Sequence, residues 1–134
     1  MARSEERENL MKMVYQMGLQ NDFSKEAYEK FTELQVDINI TDYFSKTYEA
    51  IVENMEDIDA LINECSVKWK TTRMPAVDLA ILRLSCAEMK YMKDVPVSVS
   101  INEAVNLAKK YSTENSSRFI NGVLGKAAKE IANA

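Results

Sequence analysis

Three carboxylates in the second half of this 134-residue chain are the side chains best suited to acid–base chemistry: Asp78, Glu88 and Glu103. A catalytic carboxylate needs a second group beside it, such as a nucleophile, a metal ion or an oxyanion donor. The chain has no histidine, which excludes Ser-His-Asp and Cys-His arrangements and His-ligated zinc sites. Helical proteins routinely use isolated carboxylates as caps and in ion pairs. The sequence therefore predicts that the protein is not an enzyme and needs no cofactor or metal.

The two cysteines, Cys65 and Cys86, lie inside apolar helical patterns, which is typical of buried reduced thiols rather than of a disulfide or a metal site. With only three glycines, the chain has no glycine-rich loop that would bind phosphate. No apolar run approaches the roughly 20 residues that span a bilayer, and the polar residues 1–6 do not resemble a signal peptide. We expect a cytoplasmic protein with no membrane partner.

The formal net charge of −4 conceals an uneven distribution along the chain. Residues 22–64 hold twelve acidic and three basic side chains, whereas residues 68–129 hold eleven basic and five acidic ones. Such a split is typical of a polyanion-binding face beside a separate acidic region. Two solvated helix surfaces without a partner would give the same pattern, and charge alone favours that simpler interpretation.

Apolar residues recur at helical spacing along nearly the whole chain, and three glycines with two prolines are too few for the turns of a β domain. The pattern predicts an all-α fold of about seven helices in one domain, residues 1–134, with two helical sub-bundles as an open alternative. Helix one should cover about residues 4–17 and stop at Gly18. Residues 36–40 should break the pattern after the second helix.

The most apolar helix begins at Pro75, ends before Asp94 and should be the most buried. It contains Arg83, and a buried charge needs a partner. We predict that Arg83 joins neighbouring helices through carboxylates, with direct ligand contact as the weaker alternative. Ser100 and Glu103 have the spacing of a capping box, which predicts that the sixth helix opens at Ser100.

Five stretches, in this order and at this spacing, resemble one protein family. They are Arg7-Glu8 followed by Tyr15, ILR at 81–83, DVP at 94–96, INEAVNLAK at 101–109 and RFINGVL at 118–124. Each motif alone is weak, but the last two in combination are specific. Together they resemble NusB, a bacterial transcription antitermination family, over residues 3–131.

The resemblance implies a non-catalytic protein of the NusB fold. Members of the family bind the boxA element of nascent ribosomal RNA, best together with the small-subunit ribosomal protein NusE, and the pair nucleates an antitermination complex on RNA polymerase. A single-stranded element is bound through unstacked bases on aromatic rings and through phosphate contacts. The alternative is a protein-only scaffold or homodimer with little RNA affinity, and the eight methionines would suit either an apolar partner surface or the core.

Under this resemblance the RNA-binding residues lie on the N-terminal arm, at the end of the sixth helix and in a polar loop over 112–117. Arginines of the arm would contact phosphates, Ser116 would bind a phosphate with the loop amides, and Tyr15 would either contact a base or pack in the core. Glu5 and Glu6 thin the basic arm relative to the family, which weakens the electrostatic part of RNA binding. The full set is Arg3, Arg7, Tyr15, Lys109, Lys110, Asn115, Ser116 and Arg118.

The remaining assignments concern the protein partner and the fold. Asp78 and Glu88 are assigned to partner binding, and Arg83, Glu103, Asn121 and Gly122 to structural roles. An Asn-Gly pair is the strongest short-range signal for a hairpin, but apolar residues keep the helical period across it, so we place it in the last helix. Gly122 would allow close approach by a helix or by RNA, and Asn121 would be a buried hydrogen-bond hub or, less favoured, an exposed base contact.

Overall fold

The protein consists of seven α-helices in a computed structural model that describes residues 3–34 and 40–134, and these residues form no strand. The predicted all-α fold is confirmed. The predicted break over 36–40 lies outside the described residues except for Ile40. The helices are α1 (Arg3–Gln20), α2 (Lys25–Leu34), α3 (Asp42–Glu53), α4 (Met55–Cys65), α5 (Ala76–Tyr91), α6 (Val97–Tyr111) and α7 (Glu114–Ala132).

Helix α5 is the central helix, as its apolar sequence predicts. It packs against α1, α3, α4, α6 and α7, and Ile81, Leu82 and Leu84 on different sides of it are all buried. Each such side chain contributes about 1.5–3 kcal/mol relative to an exposed one. Because the surrounding helices all rest on α5, their polar ends are held in fixed relative positions.

The core also takes up most of the methionines for which an apolar partner surface was considered. Met11, Met13, Met17 and Met89 are buried between helices, so they stabilise the fold rather than form a docking face. No helix within the described ranges is long and apolar enough to cross a membrane.

The end of α1 differs from the prediction, because the helix continues through Gly18 and ends at Gln20. Asn21 then takes the left-handed backbone conformation, with φ of 50°, which asparagine tolerates better than most residues. The amides of Asn21 and Asp22 bond back to carbonyls of the last helical turn, at 3.2 and 2.9 Å. Asparagine rather than glycine therefore ends this helix.

The predicted start of α6 at Ser100 is wrong, because the helix begins at Val97, directly after Pro96. The hydroxyl of Ser100 does not cap a helix but is buried and donates to Glu88 of α5 at 2.9 Å. Glu103, the other half of the expected capping box, instead accepts a bond from the Ser4 hydroxyl of α1 at 2.6 Å. Both side chains join helices to each other.

The polar loop expected over 112–117 is shorter, because α7 begins at Glu114. Thr113 caps it, and its hydroxyl oxygen accepts a bond from the amide of Ser116 at 2.9 Å. Side-chain capping of this kind satisfies one of the free amides of the first helical turn. The loop between α6 and α7 is thereby reduced to a tight junction.

Arg83 joins α5 to α4 through a two-pronged ion pair with Asp59. Its Nε and Nη2 lie 2.9 and 2.8 Å from the two carboxylate oxygens. The paired geometry is the strong form of this interaction.

Replacing Arg83 by alanine should lower the free energy of unfolding by about 1–2 kcal/mol, because the half-buried Asp59 loses its partner while water replaces part of the interaction. Chemical denaturation of the purified variant measures the loss. Replacement of the exposed Arg73, which makes no ion pair with a described residue, serves as the control. An Arg83 variant as stable as the parent would rule out the structural role.

Candidate nucleic-acid interface

The first turns of α1 are held by a buried polar network that includes α3, α5 and α6. The Nε of Arg7 donates to Glu88 at 2.8 Å, and its Nη1 lies 3.3 Å from Glu103. Glu88 also accepts bonds from the hydroxyls of Tyr43 at 2.6 Å and Ser100 at 2.9 Å. Burial and the neighbouring Glu88 raise the pKa of Tyr43, so its hydroxyl stays protonated as a donor. Both carboxylate oxygens of Glu88 are thus satisfied, as a buried charge requires.

This network corrects two of the predicted site residues. Arg7 is only 4% exposed and its guanidinium is paired with carboxylates, so it is not placed to contact an RNA phosphate. Glu88 is 1% exposed and cannot reach a protein partner. Both residues instead position the start of α1 against α5 and α6.

Asp78, the other predicted partner contact, is also buried, with no exposed surface. One of its oxygens accepts a bond from the Ser112 hydroxyl at 2.9 Å. The other has no hydrogen-bond partner among the described residues. Asp78 lies in the first turn of α5, where a negative charge complements the helix dipole. Through its bond with Ser112 it also holds the junction between α6 and α7 against α5. Its assignment to partner binding is therefore wrong.

Arg3 remains on the surface beside this network. Its Nε lies 3.0 Å from the carboxylate of Glu6, and its guanidinium carbon lies 4.0 Å from the centre of the Tyr43 ring. Glu6 is itself buried and accepts a bond from Thr41. Arg3 therefore presents an exposed charge at the start of α1, although one carboxylate already offsets it.

A second junction joins α1 to the end of α6. Glu8 accepts bonds from the Tyr111 hydroxyl and from the Lys110 ammonium, the latter at 3.0 and 3.1 Å. The Tyr111 bond above all, and then Lys110, lower the pKa of Glu8. Lys110 is exposed, so an RNA phosphate can reach it. The phosphate would have to compete with Glu8 for the ammonium group.

The Glu8 junction should weaken in acid. Since the folded-state pKa of Glu8 lies below its ordinary value of 4.5, its stabilisation is complete above that pH and is lost as the pH falls through the folded-state pKa. Glu8→Gln should be less stable than the parent near pH 7, and the gap should narrow as the pH falls below 4.5. Denaturation midpoints across a pH series measure this. The exposed Glu26→Gln on α2 is the control, and a gap that stays constant with pH would contradict the prediction.

An open groove of about 550 Å³ runs between α6 and the first half of α7. Lys109 and Arg118 present their charges at it. Arg118 is 71% exposed, with only a 3.8 Å contact to Glu114, and Lys109 makes no ion pair with a described residue. The groove is lined by Ser98, Ile101, Asn102, Val105, Lys109, Glu114, Ser117, Arg118 and Asn121. The two cations suit phosphate contacts, and the planar guanidinium of Arg118 suits stacking with an unstacked base. The amide groups suit hydrogen bonds to the edge of that base, while the carboxylate of Glu114 opposes phosphate at that end.

The Asn-Gly pair lies within α7, as predicted, but its two proposed roles change. Asn121 is exposed and lines the groove, so the buried hub is wrong and the exposed alternative fits. Gly122 is exposed too, and a methyl group added there would meet no described atom within 4 Å. Among the described residues, no neighbouring helix approaches it closely.

The three other predicted RNA contacts have different surroundings. Ser116 is buried and its amide is capped by Thr113, so it forms no phosphate-binding loop. Asn115 is exposed on the outer side of α7. Tyr15 is half-buried and packs against the core, and its contact with RNA stays a prediction.

The sequence model of the NusB family matches residues 4–129. The chain belongs to the NusB family. It is 46% identical over 133 residues to the "Transcription antitermination protein NusB" of Agathobacter rectalis, a match that covers 96% of this chain and 100% of the relative. The family resemblance seen in the sequence motifs is confirmed.

Solved NusB structures agree with the fold. T. maritima NusB superposes with a TM-score of 0.85 at 32% identity, covering 97% of this chain and 92% of that one. A chain from the crystal structure of the antitermination factors NusB and NusE in complex with dsRNA superposes with a TM-score of 0.83 at 27% identity, covering 97% and 99%.

The fold of this NusB-family protein brings together only part of the predicted set. Lys109 and Arg118 meet at the groove, whereas Arg3 and Lys110 lie on the α1 side. The sequence interpretation missed Asn102, which lines the groove seven residues before Lys109. Its signal was the helical spacing itself, because residues seven apart share one face of a helix.

Proposed function

We propose that this NusB-family protein is a transcription antitermination factor. In this role it is a non-catalytic adaptor that binds single-stranded boxA-like RNA together with a NusE-type ribosomal protein and helps to assemble an antitermination complex on RNA polymerase. The family match and the name of the relative from Agathobacter rectalis support the role. A structural neighbour solved with NusE and dsRNA supports NusE and RNA as partners, and the single-stranded form is what the family resemblance implies. Such a factor works in the cytoplasm, where bacterial transcription takes place.

The observation that carries the RNA part of this proposal is the open groove between α6 and α7. Lys109 makes no ion pair with a described residue and Arg118 has only a 3.8 Å contact with the exposed Glu114, so both side chains can contact phosphates at its edges. Asn102 and Asn121 line it with amide groups that both donate and accept hydrogen bonds, so they are suited to the edges of an unpaired base. We further propose that residues 1–134 act as one RNA-binding domain, because α5 packs against helices of both halves.

The arrangement of charges indicates that RNA binds more tightly in the presence of the protein partner. Arg3 and Lys110 are each paired with a carboxylate, Glu6 and Glu8, and Arg7 is buried. Each phosphate contact that is lost lowers both the affinity and its dependence on salt. Few free cations therefore remain on the α1 side of the groove, so the partner would supply further contacts there.

A titration of fluorescently labelled boxA-like RNA, with and without NusE and at modest salt, tests the proposal. We expect weak binding to the protein alone and tighter binding to the mixture, with a loss of affinity as salt increases. An unrelated RNA of the same length is the control for sequence preference. The absence of binding in both cases would favour the second candidate, a protein-only scaffold. The pairing of Arg3, Arg7 and Lys110 with carboxylates supports that candidate.

A further inference from the structure

The connection between α4 and α5, residues 66–75, is a basic segment outside the groove described above. It contains Lys68, Lys70 and Arg73 and no acidic residue. All three side chains are exposed, and none forms an ion pair with a described residue. A run of solvated cations is ordinary by itself. Whether this segment can bind a ligand depends on how well its backbone is held in place and on where it lies relative to the groove.

Hydrogen bonds hold the backbone of this segment in place. The side chain of Asn63, in α4, accepts a bond from the amide of Thr71 at 2.8 Å and donates to its hydroxyl at 3.3 Å. The hydroxyl of Ser66 donates to the carbonyl of Trp69. Met74 anchors the far end in the core. A segment that is ordered beforehand loses less conformational entropy when it binds a ligand.

Trp69 joins this segment to α7. Its half-buried indole meets the ring of Phe119 edge to face, with centres 5.3 Å apart. The ammonium of Lys68 lies 4.5 Å from the indole. An aromatic ring beside a cation is the combination that single-stranded nucleic acid sites use for base stacking and phosphate contact.

The basic segment is continuous with the groove across α7. Phe119, against which Trp69 packs, directly follows Arg118 at the edge of the groove. Asn115 and Gly122 lie four residues before and three after Phe119, on the same side of the helix, and both are exposed. Gly122 carries no side chain, and no described atom lies close to it. No side chain at this position therefore blocks the surface between the groove and the segment.

We propose that residues 66–73 form a second RNA-contact segment of this protein. Single-stranded RNA that occupies the groove between α6 and α7 crosses α7 near Gly122 and continues onto this segment. There Lys68, Lys70 and Arg73 contact phosphates, and Trp69 stacks with a base. The inference rests on the proposed function and extends it, because it lengthens the stretch of RNA that the protein covers.

Trp69 provides a direct test, because it is the single tryptophan in the chain. Labelled RNA long enough to pass the groove is titrated into the complex with NusE, and RNA anisotropy and tryptophan emission are recorded together. We expect emission to fall in parallel with the increase in anisotropy, after correction with free tryptophan amide. Increased anisotropy with unchanged emission would overturn the second segment but leave the proposed function intact. No anisotropy change would overturn both, and an emission change caused by NusE alone would assign the segment to protein contact.

A charge-matched pair of variants gives an independent test. Lys68, Lys70 and Arg73 are replaced by alanine in one variant, and the exposed Lys25, Lys30 and Lys46 in the other. Loss of three phosphate contacts should reduce the slope of log affinity against log salt by about 2, at about 0.7 per contact for single strands. At modest salt, we expect the RNA affinity of the first variant to be lower than that of the parent by roughly tenfold or more, and the affinity of the second variant to be unchanged. Equal losses in both variants would indicate a long-range charge effect and overturn direct contact.

Two additions separate a loss of contact from a loss of folding. Thermal unfolding of both variants shows whether the Lys70 ammonium, which donates to the Asn63 carbonyl at 3.0 Å, is needed for stability. A variant with only Lys68→Gln and Arg73→Gln leaves that bond in place. It should still reduce the salt slope by about 1.4, and a slope equal to that of the parent would contradict the proposal.

Discussion

Replacing Glu88 by alanine should lower the free energy of unfolding by about 3–5 kcal/mol, the range found when one member of a buried ion pair is removed. The substitution leaves the guanidinium of Arg7 buried without its main partner. It also leaves the hydroxyl of Tyr43 without its acceptor, whereas the hydroxyl of Ser100 keeps Ser85 as a partner. A loss of this size is a large share of the 5–15 kcal/mol that stabilises a typical domain. Urea denaturation followed by circular dichroism measures it.

A double-mutant cycle separates the ion pair from the packing around it. Arg7→Ala and Glu88→Ala should each be strongly destabilising, whereas the double variant should lose clearly less than the two losses combined, because neither charge is then stranded. Tyr43→Phe removes a single donor and should cost only about 1 kcal/mol. Strictly additive losses would show that the Arg7–Glu88 contact does not stabilise the fold as described.

Replacing Lys109 and Arg118 together by alanine should lower RNA affinity roughly tenfold, equivalent to about 1.4 kcal/mol of binding free energy. Both side chains are exposed at the groove and make no strong ion pair with a described residue, so the fold should stay intact. If each contacts one phosphate, the salt slope should fall by about 1.4. RNA titrations with NusE present, repeated at several salt concentrations, measure both quantities.

The matched control is the double replacement of Lys25 and Lys30 on α2, which changes the net charge equally at exposed positions in the acidic part of the chain. It should leave affinity almost unchanged. A Lys109 and Arg118 variant that binds RNA as the parent does would show that the groove is not the RNA surface. Arg7 is unsuitable for this test, because its replacement would disturb the buried network and reduce binding through loss of folding.

The local features of the fold were predictable because they depend on neighbours in the chain. The helical period across Asn121 and Gly122 excluded a hairpin, and the apolar segment after Pro75 indicated the central helix. At the start of α6, where the local pattern failed, tertiary contacts explain the difference. Ser100 and Glu103 have the spacing of a capping box, but their side chains bond to Glu88 and Ser4 on other helices.

In the candidate site too, some residues could be predicted from the sequence and others depended on tertiary contacts. Lys109 and Arg118 could be proposed from the sequence through the family resemblance, which implies that the end of the sixth helix and the loop before the last helix share one RNA-binding surface. Arg7 resembled them in the sequence but is buried. Its main partner lies 81 residues away, and no local pattern reports such a pairing.

The sequence alone thus determined the all-α fold, the buried central helix, the uneven charge and the NusB family, since each is carried by residue types and by spacings of a few positions. The tertiary structure decided which charges are available to a ligand. A charged side chain is available only if packing neither buries it nor holds an opposite charge firmly against it, and that depends on how distant helices meet. Packing buried Arg7, Asp78 and Glu88, paired Lys110 with Glu8, and left Lys109 and Arg118 open at the groove.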